Sequence, residues 1–551
     1  MYLVFGRFVV LGQAVLLMSI SNAMAQTPTT PVPSTYFGMS LMESQNWPYI
    51  PIGALAKAPG TQWPYVEKTK GTFDWSQLDS FVNQAYAHGV DFVYTSFYVP
   101  YWAAADKSTC KANYSFGSTV CTGMVANIQD WKNFITAVVT RYKGRIKIYE
   151  LWNEPSCPCT FTGTVAQLVA LTQAEHDVIR SIDPNALIVG PTMQAYGSAY
   201  LDNYFAAGGT KDIDALGMHA SPNPNNAVAE FIMGSVTTDI KKVLVKYGLS
   251  NKPLWNTETD WTSNTAVSTA DQRSAFVAKT LLLNWNVGIT RAYWYAWDNS
   301  NVGTLWGTGS NSTAPAIAHE QVQSWMKGAT MAPCSLNGST LFYHALYTCN
   351  FNRSGGYQAQ AVWHTDGNST YTAPSIFTQY RDLAGNTYTV PSNHQVTIGQ
   401  KPILLEALTT STTASPIVFQ TESLSATSSG PAHQVIGWSG FTNGQGTLFP
   451  STAVGQYVIY TVNVPKAGTY NVKVAVKKTF NRGMWQLSIN GTNQGSAKDD
   501  YILTEGWAEY DLGMATISTS GQKSFKFLVT GKNALSTGWR ISFDYIKLTL
   551  Q

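Results

Sequence analysis

Charge is scarce in this sequence. Only 12% of its 551 residues are Asp, Glu, Lys or Arg, and the formal net charge is +3 at pH 7. No cluster of Lys and Arg stands out, whereas a nucleic-acid-binding surface needs a basic patch to contact phosphates. The composition therefore argues against nucleic acids and other polyanions as partners.

Long apolar runs are absent beyond the first 25 residues. Arg7 precedes an apolar run from about Phe8 to Ile20, and Ala23-Met24-Ala25 then offers a cleavage site of small residues. This order is typical of a signal peptide. A membrane anchor would need about 20 apolar residues, and Gln13 interrupts a run that is already shorter. We expect residues 1–25 to be removed and the mature protein to be secreted or periplasmic, with no membrane partner.

Cysteine is also sparse, with six residues. In an exported chain they favour disulfides, and we expect Cys334 to pair with the nearby Cys349. The other four fall in two predicted loops: Cys110, Cys121, Cys157 and Cys159. Pairing Cys110 with Cys121 is simplest, but it leaves Cys157 and Cys159, only two residues apart, to form a strained ring. A cross-link between the two loops is the alternative. A Cys-x-Cys zinc site is disfavoured because no His lies nearby to complete it.

Aromatic residues, by contrast, are abundant. They make up 13% of the chain and include 18 Trp. Together with the low charge, this composition suits a secreted protein that handles neutral polymers. A chain of this length exceeds one hydrophobic core, so two or three domains are expected.

Short apolar strands alternate with amphipathic helices over the first 330 residues. The predicted strands are 36–41, 51–55, 90–99, 146–154, 186–190, 214–220, 253–258 and 291–297. Helices are predicted between them, for example 165–182 and a helix capped by Asp130 that runs to Tyr142. Eight such repeats predict an α/β fold, a (β/α)8 TIM barrel over residues 26–330.

Beyond residue 330 the pattern changes to a period of two, which is typical of antiparallel strands. Segments 357–363 and 402–406 predict a small accessory β-sandwich over residues 331–410. A Ser/Thr-rich linker, 409–415, follows. Further alternating segments, such as 457–462 and 524–528, predict a second β-sandwich over residues 411–551.

Two Glu residues stand at the ends of predicted barrel strands. Glu154 lies in a Trp-Asn-Glu-Pro segment, and Glu258 lies about 100 residues further on between two Trp residues. Barrel enzymes place their active sites at the carboxyl ends of the strands. One carboxyl group can protonate a leaving oxygen there while a second attacks the sugar. Either Glu alone would be taken for a solvent-exposed loop residue.

The Trp-Asn-Glu-Pro segment, with a second strand-end Glu at this spacing, resembles the signature of retaining glycoside hydrolases with a (β/α)8 barrel. Within that clan the sequence is most similar to glycoside hydrolase family 39. The resemblance implies that Glu154 on strand 4 is the acid/base and that Glu258 on strand 7 is the nucleophile. It also implies that Asn153 binds a sugar hydroxyl and that catalysis needs no cofactor.

Further substrate-binding candidates surround this pair. His219 ends predicted strand 6, next to the nucleophile strand. On strand 8, Trp294 matches the ring platform of relatives, and Trp297 takes that role if the strand is offset by one residue. Flat rings suit the apolar faces of sugars, although core packing is the competing role for an aromatic residue. The set of candidates besides Asn153 is His219, Trp294, Trp297, Tyr98, Trp102, Trp261 and Asp298.

One position departs from the resemblance. Relatives carry an Arg after strand 2 that supports the nucleophile, whereas Leu55-Ala56-Lys57 occupies that region here. A Lys is a point charge and lacks the planar fork of Arg. Either the nucleophile is held differently in this chain, or the alignment differs at strand 2.

The last domain resembles jelly-roll carbohydrate-binding modules of families 6 and 35, in its opening residues 419–422 and its closing strand 541–548. In those modules a Glu of the first strand and an Asp of the last hold a structural calcium. The resemblance implies Glu422 and Asp544 as metal ligands, although two oxygen donors fall short of the six to eight that calcium takes.

These features predict a secreted retaining glycoside hydrolase that cleaves a polysaccharide in endo fashion by double displacement with two Glu. The attached domain favours a polymeric substrate, because tethering raises local concentration only when the ligand repeats. A transglycosylase would carry the same two Glu. A non-catalytic polysaccharide-binding protein is the alternative outside enzymes, but it would have no reason to keep both.

Overall fold

In a computed structural model, the protein is described over residues 27–56, 58–113, 117–222, 228–262, 264–299, 301–307, 313–338, 344–407 and 416–550. The chain forms two compact units, 1–408 and 409–551. The predicted signal peptide (1–25), Lys57 and the predicted linker (409–415) lie outside the described residues. No helix within the described residues is long and apolar enough to cross a membrane.

The first unit begins with a closed barrel. Its first eleven strands are β1 (Phe37–Ser40), β2 (Ala54–Ala56), β3 (Asp91–Thr95), β4 (Val99–Pro100), β5 (Cys110–Asn113), β6 (Ser118–Cys121), β7 (Ile148–Glu150), β8 (Leu187–Gln194), β9 (Ala215–His219), β10 (Leu254–Thr259) and β11 (Ile289–Trp294). Strands β1–β3 and β7–β11 close into a barrel, and each pairs with its neighbours in parallel. The predicted (β/α)8 barrel is confirmed.

Helices alternate with the barrel strands. Those described are α1 (Trp63–Val66), α2 (Ser76–Ala87), α3 (Ile128–Tyr142), α4 (Val165–Ile182), α5 (Ser198–Ala206), α6 (Ser235–Lys246), α7 (Ala270–Asn286) and α8 (Ala314–Met326). Helix α4 has the predicted bounds and begins with a capping box made by Thr164 and Gln167. The predicted cap of α3 is wrong: Asn127, with extended backbone, accepts the hydrogen bond of Gln129 N, and Asp130 lies inside the first turn.

Buried side chains of different sizes fill the barrel interior. Val93, Ile148, Val189 and Trp255 form part of one buried cluster, together with Tyr293. The ring of Tyr293 fills the space above Gly38, where any Cβ would clash with it. Because side chains alternate along a strand, an inward Tyr293 turns Trp294 toward the helices and Tyr295 toward the mouth of the barrel.

A small sheet follows β3. Strands β4, β6 and β5 form it, and a disulfide between Cys110 and Cys121 joins β5 to β6. A second disulfide, Cys157–Cys159, lies in the loop after β7. The choice that the sequence left open is thus resolved as one disulfide in each loop and not as a cross-link between the loops. Cys334 pairs with Cys349, as expected.

Antiparallel sheets complete the first unit. The strands are β12 (Thr330–Met331), β13 (Ser335–Gly338), β14 (Ala345–Asn352), β15 (Gln358–His364), β16 (Ser369–Thr372), β17 (Gln379–Arg381), β18 (Thr387–Thr389), β19 (Gln395–Ile398) and β20 (Ile403–Glu406). Lys279 and Glu230 form a buried ion pair (2.8 Å), and Glu230 Oε1 also accepts a hydrogen bond from Trp363 Nε1 (3.2 Å). This contact fixes the sheets to the barrel, since Trp363 lies on β15 and Lys279 on α7.

The second unit consists of two antiparallel sheets. Its strands are β21 (Ile417–Gln420), β22 (Ala426–Ser428), β23 (Gln434–Gly437), β24 (Gln445–Phe449), β25 (Tyr457–Val464), β26 (Gly468–Lys478), β27 (Gly483–Ile489), β28 (Thr492–Asp499), β29 (Gly506–Ile517), β30 (Gly521–Lys532) and β31 (Ile541–Leu550). Sheet order is β23-β24-β31-β26-β29, with β21 beside β31, and β22-β25-β30-β27-β28. A buried apolar core that includes Trp485, Phe527 and Phe543 lies between the sheets, as a β-sandwich requires.

Candidate active site

Glu154 lies four residues beyond the end of β7, on an irregular turn. Trp152 and Glu154 itself have positive φ angles of 70° and 46°, which non-glycine residues adopt rarely. Neighbouring strands hold the turn: Asn153 N donates to Ser96 O (3.2 Å) and Glu154 N donates to Thr192 O (3.0 Å). After the turn, Thr160 Oγ1 donates to Glu154 O (2.6 Å). The unusual backbone is thus held on both sides.

A buried acid supports the same turn from the helix layer. Ser96 Oγ accepts a hydrogen bond from Trp152 N (3.2 Å) and donates one to Glu175 Oε2 (2.8 Å). Glu175 lies on α4, is fully buried, and has a pKa raised to about 8 because burial disfavours its charge. Glu175 therefore orients the Ser96 hydroxyl, and Ser96 orients the backbone that leads to Glu154.

His219 lies between the two glutamates. It ends β9 opposite Glu258 on β10 in the sheet register. Its Nδ1 is 2.6 Å from Glu154 Oε1 and 3.7 Å from Glu258 Oε2. One ligand atom from each of the three side chains lies within 4.8 Å of the other two. The structure therefore brings together three residues that the sequence predicted on three separate strands.

The three side chains line a cavity of about 550 Å³ at the carboxyl ends of β7, β8, β9 and β10. His219 is 4% exposed, whereas the side chains of Glu154 and Glu258 are 19% and 25% exposed. Gln194 Nε2 contacts Glu154 Oε2 (3.4 Å), and Tyr196 and Tyr200 complete one wall. The carboxylates are therefore reachable by a ligand, while the imidazole is held in place beneath them.

Two tyrosines lie close to the carboxylates. Burial raises the pKa of Tyr98, and the charge of Glu154 adds to that effect. Burial likewise raises the pKa of Tyr295, followed by the charges of Glu258, Asp260 and Glu154. Tyr98 was predicted from the sequence. Tyr295, which directly follows β11, was missed, because its orientation depends on the inward position of Tyr293.

Asp260 is a further acid that the sequence analysis did not single out. It is 6% exposed, and its Oδ1 accepts a hydrogen bond from Thr262 N (2.8 Å). Burial, followed by the charge of Glu258, raises the pKa of Asp260 to about 7. The carboxyl nearest in sequence to Glu258 thus carries a proton more readily than an ordinary Asp.

Three of the four predicted tryptophan ligands, Trp261, Trp294 and Trp297, are buried in the fold. Trp294 packs against Phe276 of α7 and donates from Nε1 to Gly303 O (2.6 Å). Trp261 packs on Trp294 with ring centroids 5.4 Å apart, and Trp297 meets Tyr49 edge-on at 4.7 Å. These three rings are at most 1% exposed. The structure gives them packing contacts, and a stacking role on substrate stays a prediction.

The remaining predicted residues occupy three environments. Asn153 is nearly buried in the turn, directly before Glu154. Asp298 accepts hydrogen bonds from Met42 N (2.6 Å), Glu43 N (3.0 Å) and Asn46 Nδ2 (2.9 Å), so it anchors the loop after β1. Trp102 lines a different cavity, on the outer flank of the barrel.

The two predicted calcium ligands of the second unit differ in their hydrogen bonds. Asp544 Oδ2 accepts hydrogen bonds from Thr442 Oγ1 and Trp507 Nε1, both at 2.8 Å. Glu422 Oε2 is buried without a hydrogen-bond partner among the described residues. The calcium site stays a prediction. Within the described part of the chain, Glu154, His219 and Glu258 are the one group of acidic and His side chains close enough to hold a metal ion.

No protein-family model and no curated protein matches the sequence. Among solved structures, a glycoside hydrolase family 39 beta-xylosidase from Caulobacter crescentus is 14% identical, with 70% of this chain and 98% of that chain covered at a TM-score of 0.48. A glucosidase from Croceicoccus marinus is 10% identical, with 92% and 98% covered and a TM-score of 0.45. A Paenibacillus xanthan lyase is 22% identical, with 38% of this chain but only 22% of the lyase covered, at a TM-score of 0.23. Likenesses this distant establish neither a family nor a substrate.

Proposed function

We propose that the protein is a glycoside hydrolase that acts with retention of configuration through Glu154 and Glu258. One observation carries this proposal: ligand oxygens of the two glutamates lie within 4.8 Å of each other at the mouth of the barrel. Carboxyl groups about 5–5.5 Å apart suit double displacement, whereas inversion needs about 6.5–9.5 Å to admit a water.

In the first step, a Glu258 oxygen attacks the anomeric carbon and forms an ester bond to it. The glycosidic C–O bond breaks, and the proton of Glu154 passes to the leaving oxygen. In the second step, Glu154 removes a proton from water, the water oxygen bonds to the anomeric carbon, and Glu258 leaves as a carboxylate. The roles of the two residues follow the family resemblance of the Trp-Asn-Glu-Pro segment.

His219 would hold the carboxyl groups of Glu154 and Glu258 in a fixed relative position during both steps. Its Nδ1 contact with Glu154 and its proximity to Glu258 fix the relative position of acid and nucleophile. Tyr295, which directly follows β11, lies close enough to both carboxylates for their charges to raise its pKa further. Fixed groups of this kind lower the cost of reaching the reactive geometry.

The substrate would be a polysaccharide cleaved outside the cell or in the periplasm. Three disulfides within the described residues support an oxidising compartment. In the second unit, Trp507 on β29 is 43% exposed, and its ring lies 6.4 Å from that of Tyr545, which is 8% exposed on β31 of the same sheet. We infer that this unit binds carbohydrate, since exposed aromatic rings are suited to contact sugars.

A panel of polysaccharides tests the proposal. The protein and its Glu258→Ala variant are incubated with each polymer, and released sugars are read by mass. We expect oligosaccharides from at least one polymer with the wild type and none with the variant. Release of monosaccharides alone would indicate exo action and not endo action. Equal products from the wild type and the variant would contradict the assignment of Glu258 as the nucleophile. If no sugars were released from any polymer but the protein still bound one of them, a non-catalytic carbohydrate-binding protein would be favoured.

Two controls separate the alternatives within enzymes. An added sugar acceptor should leave the products unchanged for a hydrolase, whereas a transglycosylase would form longer ones. Because Glu154, His219 and Glu258 also have the donor types of a metal site, the assay is repeated after treatment with EDTA. Activity should survive, since the proposed steps use only carboxyl groups and water.

A further inference from the structure

A second cavity opens on the outer flank of the barrel. It has a volume of about 790 Å³ and lies between segment 67–75, Trp102 and the face of α3 from Asp130 to Arg141. We call it the flank trench. It shares no lining residue with the cavity of Glu154 and Glu258. The trench is therefore a separate feature of the first unit.

Aromatic rings form one wall of the flank trench. Phe73 and Trp75 lie parallel, with centroids 5.1 Å apart and planes 5° apart. Trp102 is fixed by a hydrogen bond from its Nε1 to Glu67 O (2.9 Å). All three rings are only partly buried. Pre-positioned rings that keep some exposure offer apolar surface to a ligand without further ordering.

The charged groups of the trench are already engaged within the protein. Lys70 pairs with Asp130 (2.7 Å), and Arg141 pairs with Asp79 (2.6 Å). Glu67 accepts hydrogen bonds from Trp63 Nε1 and Gly71 N, both at 2.7 Å. Because each charged group is already bound by a partner within the fold, the trench favours a neutral ligand over an ionic one.

Helix α3 supplies the opposite wall. Asn133, Thr136 and Thr140 succeed one another at intervals of three and four residues, so their amide and hydroxyl groups form a row along one face. Asn133 and Thr140 are exposed. From Asp130 to Arg141 the helix spans about 16 Å at 1.5 Å per residue. The wall is therefore long, polar and uncharged in its middle.

We propose that the flank trench binds a stretch of neutral polysaccharide. An extended sugar chain has apolar ring faces for the aromatic wall and hydroxyl groups for the row on α3, and it carries no charge that would compete with the internal ion pairs. The trench holds the polymer on the barrel independently of hydrolysis at Glu154 and Glu258. This site goes beyond the proposed function and does not depend on it.

Hydrogen–deuterium exchange locates such a site in the full chain. The Glu258→Ala variant, in which turnover is not expected, is measured with soluble glucomannan, arabinoxylan and mixed-linkage β-glucan, and with polygalacturonate as an anionic comparison. We expect slower exchange in peptides that cover 67–75 and 130–141 with at least one neutral polymer. No protection of these segments by any neutral polymer, or protection by polygalacturonate alone, would overturn the proposal.

A matched pair of variants tests the polar wall in the same background. Asn133→Ala/Thr140→Ala removes one amide and one hydroxyl from the trench, and Ser250→Ala/Asn251→Ala removes the same groups from an exposed loop before β10. Loss of two hydrogen bonds should weaken polymer binding at the trench about fivefold or more. Protection of 67–75 and 130–141 should then fall at a fixed polymer concentration in the first variant only. Equal protection in both would contradict the assignment, provided that both unfold at the temperature of the parent.

Discussion

The two cavities of the first unit differ in chemistry and in the elements that supply it. The cavity at the barrel mouth has two carboxylates and an imidazole close enough to react together. The flank trench has rings and uncharged polar groups, and its acids are engaged by neighbours. Strand ends build the first, and a helix face and a loop build the second. The two cavities therefore suit the two roles proposed for them, bond cleavage at the barrel mouth and polymer binding at the flank trench.

The carboxylates and the imidazole lie close together because the barrel strands end at the same rim. The carboxyl ends of parallel strands meet at one rim, so residues far apart in sequence become neighbours. A helix face instead presents residues that are close in sequence, at intervals of three or four. Such a face can contact an extended ligand along its length, but it does not place two carboxyl groups on either side of one substrate atom. Variants of the two cavities should therefore fail in different assays.

The largest effect is expected for Glu258→Ala. Loss of the nucleophile should lower kcat at least about 1,000-fold on every substrate. Added azide should restore product by entering the space left by the carboxylate, and that product should have inverted configuration at the anomeric carbon. Chromatography and NMR of the glycosyl azide measure this. A product of retained configuration would instead assign Glu258 as the acid/base.

Glu154→Gln should lower kcat by about 10²–10⁴-fold on polysaccharide, the usual range for a general acid. The loss should be much smaller with a dinitrophenyl glycoside, because that leaving group departs without a proton. Parallel kinetics on the two substrates measure the difference. An equal loss on both would show that Glu154 acts in some way other than protonating the leaving oxygen.

Asp260→Asn should increase stability at neutral pH. The pKa of Asp260 is about 7 in the fold against an ordinary 3.8. Between about pH 4 and pH 7 the unfolded chain releases this proton while the folded chain keeps it, so the free energy of unfolding falls as pH rises. The full cost, up to about 4 kcal/mol, is present above pH 7.

Urea unfolding of wild type and Asp260→Asn at pH 5 and pH 8 measures the free energy that ionisation of Asp260 costs the folded protein. The advantage of the variant should be larger at pH 8. Asp271→Asn, which removes an exposed carboxyl paired with Lys401, should change stability little at either pH. The same advantage for Asp260→Asn at both pH values would mean that Asp260 is not held protonated.

A smaller effect is expected at Glu175, which acts through Ser96 on the turn of Glu154. Glu175→Ala leaves the Ser96 hydroxyl without its acceptor, and a shift of the turn should lower kcat about 10–100-fold with KM nearly unchanged. Glu175→Gln keeps an oxygen for Ser96 and should retain most of the activity. Steady-state kinetics of both variants test this. If the two variants lost stability alike and activity not at all, Glu175 would have no positioning role.

Much of the barrel was predictable because its signals are local. Short apolar segments that alternate with amphipathic ones predicted the eight barrel strands and the bounds of α4. The position of Glu154, Glu258 and His219 at the ends of predicted strands marked them as site residues. Helix α5 was missed. The cap of α3 was misplaced because both Asn127 and Asp130 suit a cap, and only the backbone conformation distinguishes them.

Other parts of the site depend on contacts that no local pattern contains. The inward position of Tyr293 over Gly38 decides that Trp294 faces the helices and Tyr295 the mouth. Trp102 follows β4, and tertiary packing places it on the barrel flank. A buried Glu175 on an amphipathic helix has the same sequence signal as a surface residue. Its partner Ser96 lies on a different element and is 79 residues away.

The stereochemistry of the first turnover tests the central claim most directly. Proton NMR of the anomeric signals, recorded before mutarotation, identifies the configuration of the new reducing end on whichever polymer the protein cleaves. The close approach of Glu154 and Glu258 predicts retention. An inverted product would mean that water attacks the sugar directly, and it would contradict the assignment of Glu258 as a nucleophile.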